Sequence, residues 1–523
     1  MRNFIAASLL ACSVTPSLAG VSNPLQRDFS LPTVDLGYEI HQGTFNQSGQ
    51  YYNFSNVRYA APPVGKLRFA PPTSPKKSNK PVFNDGSNPV TCIQALPYWF
   101  AFTADWLANG TDAFNISAGY QVPDIQTMPP QSPQMSEDCL FLDIMTPKKV
   151  FDNAEKGKKG PGKKSPGAPV MVWIHGGGYT LGSKVQYSPS AAGLIRASQA
   201  GGSDGVVWVG INYRLGSFGF LSGPTFKKNG GVPNAGLLDQ RFALEWIQEN
   251  IHLFGGDPKQ VTVIGESAGG GSVMHQLTAY GGRKGKVPFH QAIVQSPGYQ
   301  PMPSAKGQEA VFQKFLGVAN VKNLDEARSL SAYDLQFANY KLIGESFPYG
   351  TFTFNPALDG DFVPALPGTL LREGKFDKSV NVMAGHNIQE GIQFMDPFAQ
   401  TEDRFEEDLR IYFPTITEDI VHYISKVLYP PDYSGLQGYN SPTTRSALMI
   451  TEGFFTCNTN WLGKALKYDT YNYIFSLWPS LHGDDIWYTY YNGPQPLVKD
   501  NALAVTMQRY LTSFAQTGSP NST

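Results

Sequence analysis

Uninterrupted apolar runs of strand length recur along the chain, and between them the hydrophobic period changes to that of a helix. Val170–Ile174 is one such run, held between Pro169 and His175-Gly176; Val206–Ile211 and Val261–Ile264 are two more. Runs of this length without polar alternation predict strands buried on both faces, as in a parallel sheet. Leu244, Ile247, Ile251 and Phe254 recur at the spacing of one helix face, and Gly255-Gly256 closes that helix. The run Phe4–Val14 is different. It follows Met1-Arg2-Asn3 and precedes Pro16 and Ser17-Leu18-Ala19, which puts small residues at the −3 and −1 positions of a cleavage site. That pattern predicts a leader peptide over residues 1–19. At about eleven residues the run is too short for a bilayer, which takes about 20, and no later stretch reaches that length. A secreted protein without a transmembrane segment is the expectation.

The length of 523 residues would allow about three domains at roughly 100–200 residues each. The α/β pattern nevertheless continues without a compositional break, so residues 20–523 are read as one domain. The segment Gly157–Gly167 (GKKGPGKKSPG) is low in complexity and lacks aromatics, which reads as a solvated loop rather than a basic binding patch. Charged residues are 16 % and the net charge is −1, so there is no global field to draw in nucleic acid or an anionic membrane. With 53 glycines and 40 prolines the chain exceeds the ~12 % typical of these residues, predicting many tight turns and ordered loops. Removing the leader removes Cys12 and leaves Cys92, Cys139 and Cys457, one pair and one leftover in an oxidising compartment. Asn-x-Ser/Thr triplets stand at Asn46, Asn53, Asn109, Asn115 and Asn521, candidate glycan sites of a secreted chain.

The candidate chemistry lies where the Val261–Ile264 strand runs into Gly265-Glu266-Ser267-Ala268-Gly269. G-x-S-x-G between a strand and a helix is a nucleophile elbow: the turn is so tight that small residues must flank the serine, here Gly265, Gly269 and Gly270, and it lifts the serine clear of the sheet. Upstream, His175-Gly176-Gly177-Gly178 follows another strand. Without side chains, the backbone N–H groups of such a loop can turn toward a developing oxyanion. A phosphate-binding loop is the competing reading, but no Lys-Ser/Thr follows and there is no G-x-G-x-x-G. No His, Asp and Glu stand at metal-ligand spacing such as H-E-x-x-H, so no metal and no cofactor are expected.

With these motifs the chain resembles the type-B carboxylesterase/lipase family, which includes fungal lipases and the cholinesterases. The resemblance runs from about Val34 to Asn521. It is carried by Arg58-Tyr59-Ala60, Ser136-Glu137-Asp138-Cys139-Leu140, Trp173–Gly178, Asn212-Tyr213-Arg214-Leu215-Gly216, Asn234–Gln240, Phe254–Pro258 and Gly265–Gly270. It implies an α/β-hydrolase fold, with a mostly parallel central sheet flanked by helices and a long disulfide-closed, lid-like loop. It also supplies what spacing does not. The family's acid lies in a G…EG segment, here Gly385–Gly391, which makes it Glu390; its base lies in an HGDD-like loop, here His482-Gly483-Asp484-Asp485. Ser267, Glu390 and His482 then follow the nucleophile–acid–base order of α/β-hydrolases. Gly177, Gly178 and Ala268 would form the oxyanion hole. The resemblance further implies a Cys92–Cys139 disulfide, ion pairs Arg58–Glu137 and Arg214–Asp239, and a supporting role for Ser296.

The activity so implied is a carboxylic ester hydrolase working through an acyl-enzyme on a small ester. An interfacial lipase and an acyltransferase would use the same residues; a non-catalytic adhesion protein of this fold would normally have lost one of the three. His386, four residues before Glu390, is the rival base. Asp484 and Asp485 read as turn-forming and ion-pairing residues. Cys457, in Phe454-Phe455-Thr456-Cys457, reads as a buried free thiol. In the Cys92–Cys139 loop, Trp99, Phe100, Phe102, Trp106 and Tyr120 either cover the site and open at a lipid interface or simply fill the base of the loop. The sequons at Asn109 and Asn115 favour the second reading, and with it an esterase.

Overall fold

The computed structural model describes residues 31–77, 82–109, 120–159, 167–185, 190–300, 302, 304–346 and 348–521. The leader with Cys12, Asn115, and residues 160–166 of the low-complexity segment lie outside them. Nine strands form the main sheet: β1 Thr44–Asn46, β2 Tyr51–Arg58, β3 Phe141–Pro147, β4 Ala168–Ile174, β5 Val207–Ile211, β6 Gly256–Glu266, β7 Gln291–Gln295, β8 Asn381–Asn387 and β9 Tyr471–Phe475. Their spatial order is β9-β8-β7-β6-β4-β5-β3-β2-β1. The pairings from β5 through β4, β6, β7 and β8 to β9 are parallel, and those among β5, β3, β2 and β1 are antiparallel. The mixed, mainly parallel sheet with helices on its faces is the α/β-hydrolase architecture.

The buried runs become central strands because their alternate residues feed two different cores. Val170, Val172 and Ile174 of β4 face one core, together with Val207, Val209 and Ile211 of β5 and Val261 and Val263 of β6. Met171, Trp173, Trp208 and Ile264 face the other. There they meet Leu511, Phe514 and Ala515 of the C-terminal helix Asn501–Thr517. Leu244 and Ile247 are buried on the helix Ala235–Asn250, which tightens into a 3₁₀ turn over Ile251–Phe254. It ends at Gly255, whose φ of 89° is a left-handed cap. The low-complexity segment is not wholly loop: the helix Lys148–Lys159 runs into its first residues.

Cys92 and Cys139 are joined as a disulfide 47 residues apart in sequence. The loop it closes holds α1, Trp99–Asn109. Trp99 is fully buried, stacked on Phe100 and donating from Nε1 to the Thr351 carbonyl at 2.8 Å. Its ring also stands 5.5 Å from that of Phe352 and 6.2 Å from that of Phe394. Closing a loop of this length is worth roughly 4 kcal/mol in the chain-entropy description. A Cys92→Ala/Cys139→Ala variant should accordingly unfold at a clearly lower denaturant midpoint than the wild type. An unchanged midpoint would show that the loop is held by its packing alone. Among the described residues no helix is long and apolar enough to cross a membrane.

Candidate active site

Strand β6 delivers its last residue, Glu266, directly into the turn at Ser267, whose φ of 56° and ψ of −124° are strained for a residue with a side chain. The strain is held from both sides. The Ser267 N–H donates to the Gln295 carbonyl at 3.1 Å, and its own carbonyl accepts from Gly271 at 2.8 Å and Gly298 at 3.0 Å. Glycine is required here by close approach: a Cβ on Gly269 would lie 2.1 Å from the Ile174 carbonyl oxygen, and one on Gly265 2.5 Å from that of Gly269. The helix Ala268–Leu277 thus starts against the end of β4 with its N-terminal amides at the serine.

Two other parallel strands bring their loops to the same end of the sheet. Glu390 follows β8 and His482 follows β9, and His482 Nδ1 lies 2.5 Å from Glu390 Oε2. The other carboxylate oxygen of Glu390 accepts from Ser296 Oγ at 2.6 Å and from the Asn387 N–H at 2.5 Å. Glu390 is fully buried, which alone would raise its pKa. The facing His482, Ser296 and Asn387 outweigh burial and hold the carboxyl below its ordinary value. His482 packs edge-on against Phe394 at 5.0 Å and tilted against Phe455 at 4.8 Å, and its carbonyl accepts from Gln393. Its Nε2 makes no hydrogen bond among the described residues.

Glu266, the variable residue inside the G-x-S-x-G motif, has a place that sequence reasoning missed. Its Oε1 lies 3.2 Å from His482 Nε2, and neither of its carboxylate oxygens has a hydrogen-bond donor among the described residues. Burial therefore pushes its pKa up to about 8, while His482 pulls the other way. For His482, burial would depress the pKa, but Glu266 and Glu390 overcome it and the imidazole is shifted upward. Glu390 has its donors and keeps its charge. Glu266 has none, and only the facing His482 opposes the effect of its burial.

The glycine loop lies across from the serine. Gly177 and Gly178 have φ of 101° and 58°, backbone states that a side chain would strain. A Cβ on Gly176 would sit 2.9 Å from the Ser267 Cβ, and one on Gly178 2.1 Å from the Phe352 ring. His175 is structural, stacked on Tyr213 at 4.3 Å and bonded through Nδ1 to the Gly176 carbonyl, with burial pushing its pKa down to about 4. Gly178, Ser267 and Ala268 line one pocket, with about 470 Å³ of empty space. Its other walls are mainly the rings of Tyr299, Phe352, Phe394, Tyr412, Phe454 and Phe455.

The structure brings Ser267, Ala268 and Gly178 to one cavity, with His482 and Glu390 paired behind it. His386 is not the partner of Glu390; it stands on β8 opposite Ile474. Asp484 forms the expected turn, accepting from the Leu481 N–H. Among the described residues Asp485 makes no ion pair with a base. It is buried, and it accepts from Tyr473 at 2.6 Å and from Asn387 at 3.1 Å. Arg214–Asp239 pairs as expected at 2.7 Å. The Arg58–Glu137 pair does not form. Arg58 holds Asp138 at 2.7 Å, and Glu137 takes Arg68 at 2.6 Å. Adjacent carboxylates in the turn diverge, so buried Glu137 meets buried Arg68 and more exposed Asp138 meets Arg58. Cys457 is free but exposed. The buried positions around it are Phe454, Phe455, Asn458, Thr459 and Leu462, a helical face that leaves Cys457 outside. Among the candidate glycan sites, Asn46 uses its amide in the β1–β2 turn and Asn53 bonds to Ser55. Asn109 ends α1, and Asn521 is exposed. Among the described residues no cluster of His, Cys, Asp and Glu is arranged to hold a metal.

Comparison with known proteins agrees with the geometry. A sequence profile of the carboxylesterase family matches residues 37–523. The chain is 43 % identical over 503 residues to Carboxylesterase patB of Penicillium expansum, covering 94 % of this chain and 88 % of that one. It is 31 % identical to Lipase 1 of Geotrichum candidum, covering 97 % and 91 %. Among solved structures, Aspergillus niger EstA superimposes with a TM-score of 0.75 at 27 % identity, covering 94 % of this chain and 90 % of the other.

Proposed function

The chain belongs to the carboxylesterase family, and from that premise we propose that it hydrolyses small carboxylic esters through a Ser267–His482–Glu390 triad. The observation that carries this reading is the 2.5 Å contact of His482 Nδ1 with a carboxylate that is otherwise fully satisfied, at the same sheet end as the strained Ser267. A serine hydroxyl is not ionised at neutral pH, so His482 Nε2 takes its proton as Oγ attacks the ester carbonyl. Glu390 holds the imidazole by Nδ1 and stabilises the imidazolium. The N–H groups of Gly177, Gly178 and Ala268 receive the oxyanion. His482 then protonates the departing alcohol, and water, activated in turn by His482, releases the acid from the acyl-serine. The catalytic unit is residues 20–523. The leader-like start, the sequons and the disulfide-forming cysteines support a secreted glycoprotein. The test is a panel of p-nitrophenyl esters of increasing chain length, followed by product analysis with an added alcohol. Free acid as the main product with alcohol present supports a hydrolase; a new ester as the main product makes it an acyltransferase.

The sequons at Asn109 and Asn115, in the same loop as Trp99, support a soluble-ester hydrolase over an interfacial lipase. Activity on a short-chain triglyceride should follow a smooth saturation curve through the solubility limit. A sharp rise once droplets form, abolished in Trp99→Ala, would make this a lipase.

The pH profile follows from the two carboxylates that face His482. Turnover needs the imidazole neutral, so activity is lost as pH falls through its pKa, and an upward shift moves that loss above the ordinary ~6.5. The acid limb of kcat/KM should therefore have its midpoint above 6.5. Glu266→Gln, which removes one of the two supporting carboxylates, should move the midpoint down. A midpoint that stays put or rises in the variant would mean that Glu266 does not act on His482.

A further inference from the structure

One irregular helical turn touches the surroundings of all three triad residues. Between the helices Pro442–Ile450 and Cys457–Ala465 the chain widens into a π-helical turn over Thr451–Thr456. Such turns are rare, and they recur at functional sites. Thr451 Oγ1 accepts from the Gly391 N–H at 2.9 Å, one residue past Glu390. Asn458, in the first turn of the following helix, donates from Nδ2 to the Pro297 carbonyl at 2.9 Å. The residue after Pro297, Gly298, gives its N–H to the Ser267 carbonyl. Between these two anchors in the chain stands Phe455, 4 % exposed, with its ring 4.8 Å from that of His482 and 5.6 Å from that of Phe394. Phe455 also closes on the elbow, since a Cβ on Gly298 would come within 2.7 Å of its ring.

The imidazole needs such a neighbour. His482 is bonded through its ring at one end, by Nδ1 to Glu390 at 2.5 Å, while its Nε2 has no hydrogen bond among the described residues. A ring tied at one nitrogen can still swing about that bond. Glu266 rewards the swing: its Oε1, 3.2 Å from Nε2, stabilises the imidazolium but competes with the departing alcohol for the Nε2 proton. From this we infer that Phe455 is a positioning residue of the triad. Close packing of its ring on the imidazole, together with that of Phe394, restricts the swing and keeps Nε2 available to Ser267. The π-helical turn, anchored at Gly391 and Pro297, holds Phe455 in place. This inference rests on the proposed triad.

The experiment compares Phe455→Ala and Phe455→Leu with wild type on p-nitrophenyl acetate, each alone and combined with Glu266→Gln. A small misplacement of a catalytic group costs on the order of 10² in rate. The kcat of Phe455→Ala should therefore fall by about that factor with KM little changed. Phe455→Leu, which refills most of the space, should recover most of the loss. In the Glu266→Gln background, where the competing acceptor is uncharged, Phe455→Ala should cost about tenfold less. A second arm needs no turnover. The Nδ1 proton shared with Glu390 gives a low-field proton resonance, identified by its absence from His482→Ala. It should broaden in Phe455→Ala and sharpen again in Phe455→Ala/Glu266→Gln. Phe455→Val serves in both arms if the alanine variant does not fold. A raised KM with kcat unchanged overturns the inference, since Phe455 would then be a wall of the pocket only. So does an equal cost in both backgrounds, or a resonance that the loss of the ring leaves unchanged. If wild type does not hydrolyse the ester, the esterase reading fails, while the proton resonance still decides the role of Phe455.

Discussion

Ser267→Ala and His482→Ala should each lower kcat on a p-nitrophenyl ester by a factor on the order of 10⁶. The double variant should be little worse than either single one. The two residues act as one device: without the base the hydroxyl stays protonated, and without the hydroxyl the base has nothing to activate. What survives comes from the pocket and the oxyanion amides, which both variants retain. His386→Ala should leave the rate nearly unchanged, because it is His482 that bonds the Glu390 carboxylate. Steady-state kinetics of the three variants checks this. An inactive His386→Ala beside an active His482→Ala would exchange their roles.

Glu390→Gln should cost about 10⁴ in kcat, although it changes neither size nor shape. The reason lies in the donors around the carboxylate. Ser296 Oγ and the Asn387 N–H both point at Oε1, so in the variant the amide oxygen must occupy that side. The amide NH₂ then faces His482 Nδ1, which has to accept. The ring proton moves to Nε2, where it cannot receive the proton of serine. Asn387→Ala would be a poor control, since the donor to Glu390 at 2.5 Å is the backbone N–H, which that change keeps. The measurement is kcat of Glu390→Gln at the pH optimum, with folding checked by circular dichroism. A loss of less than about tenfold would mean that the carboxylate does little to orient the imidazole.

The central sheet was legible because its strands are buried on both faces, which leaves long apolar runs such as Val170–Ile174 that no turn or exposed helix imitates. The elbow was legible because its tight geometry leaves no room for a side chain at Gly265 and Gly269, which write G-x-S-x-G into the chain. Glu390 and His482 were of another kind. They lie 123 and 215 residues beyond Ser267, and nothing local says that the loops after β8 and β9 converge on the loop after β6. Only the likeness to a family pointed to them. Glu266 stood unnoticed inside the motif itself, because its importance comes from a distance to His482 that spacing does not encode. The exchange of ion-pair partners among Arg58, Arg68, Glu137 and Asp138 has a similar cause: which of two adjacent carboxylates turns inward is decided by packing. Cys457 was misjudged because an apolar sequence neighbourhood was taken for a buried one, whereas on a helix adjacent residues point in different directions.

The central claim, that Ser267 is the nucleophile, is tested most directly by peptide mass spectrometry after titration with diisopropyl fluorophosphate, with activity followed alongside. The account predicts one adduct per chain, on the peptide bearing Ser267, with activity lost in proportion to it and no adduct in Ser267→Ala. An adduct on Ser296 or elsewhere that tracks the loss of activity, or full activity after Ser267 is blocked, would contradict it.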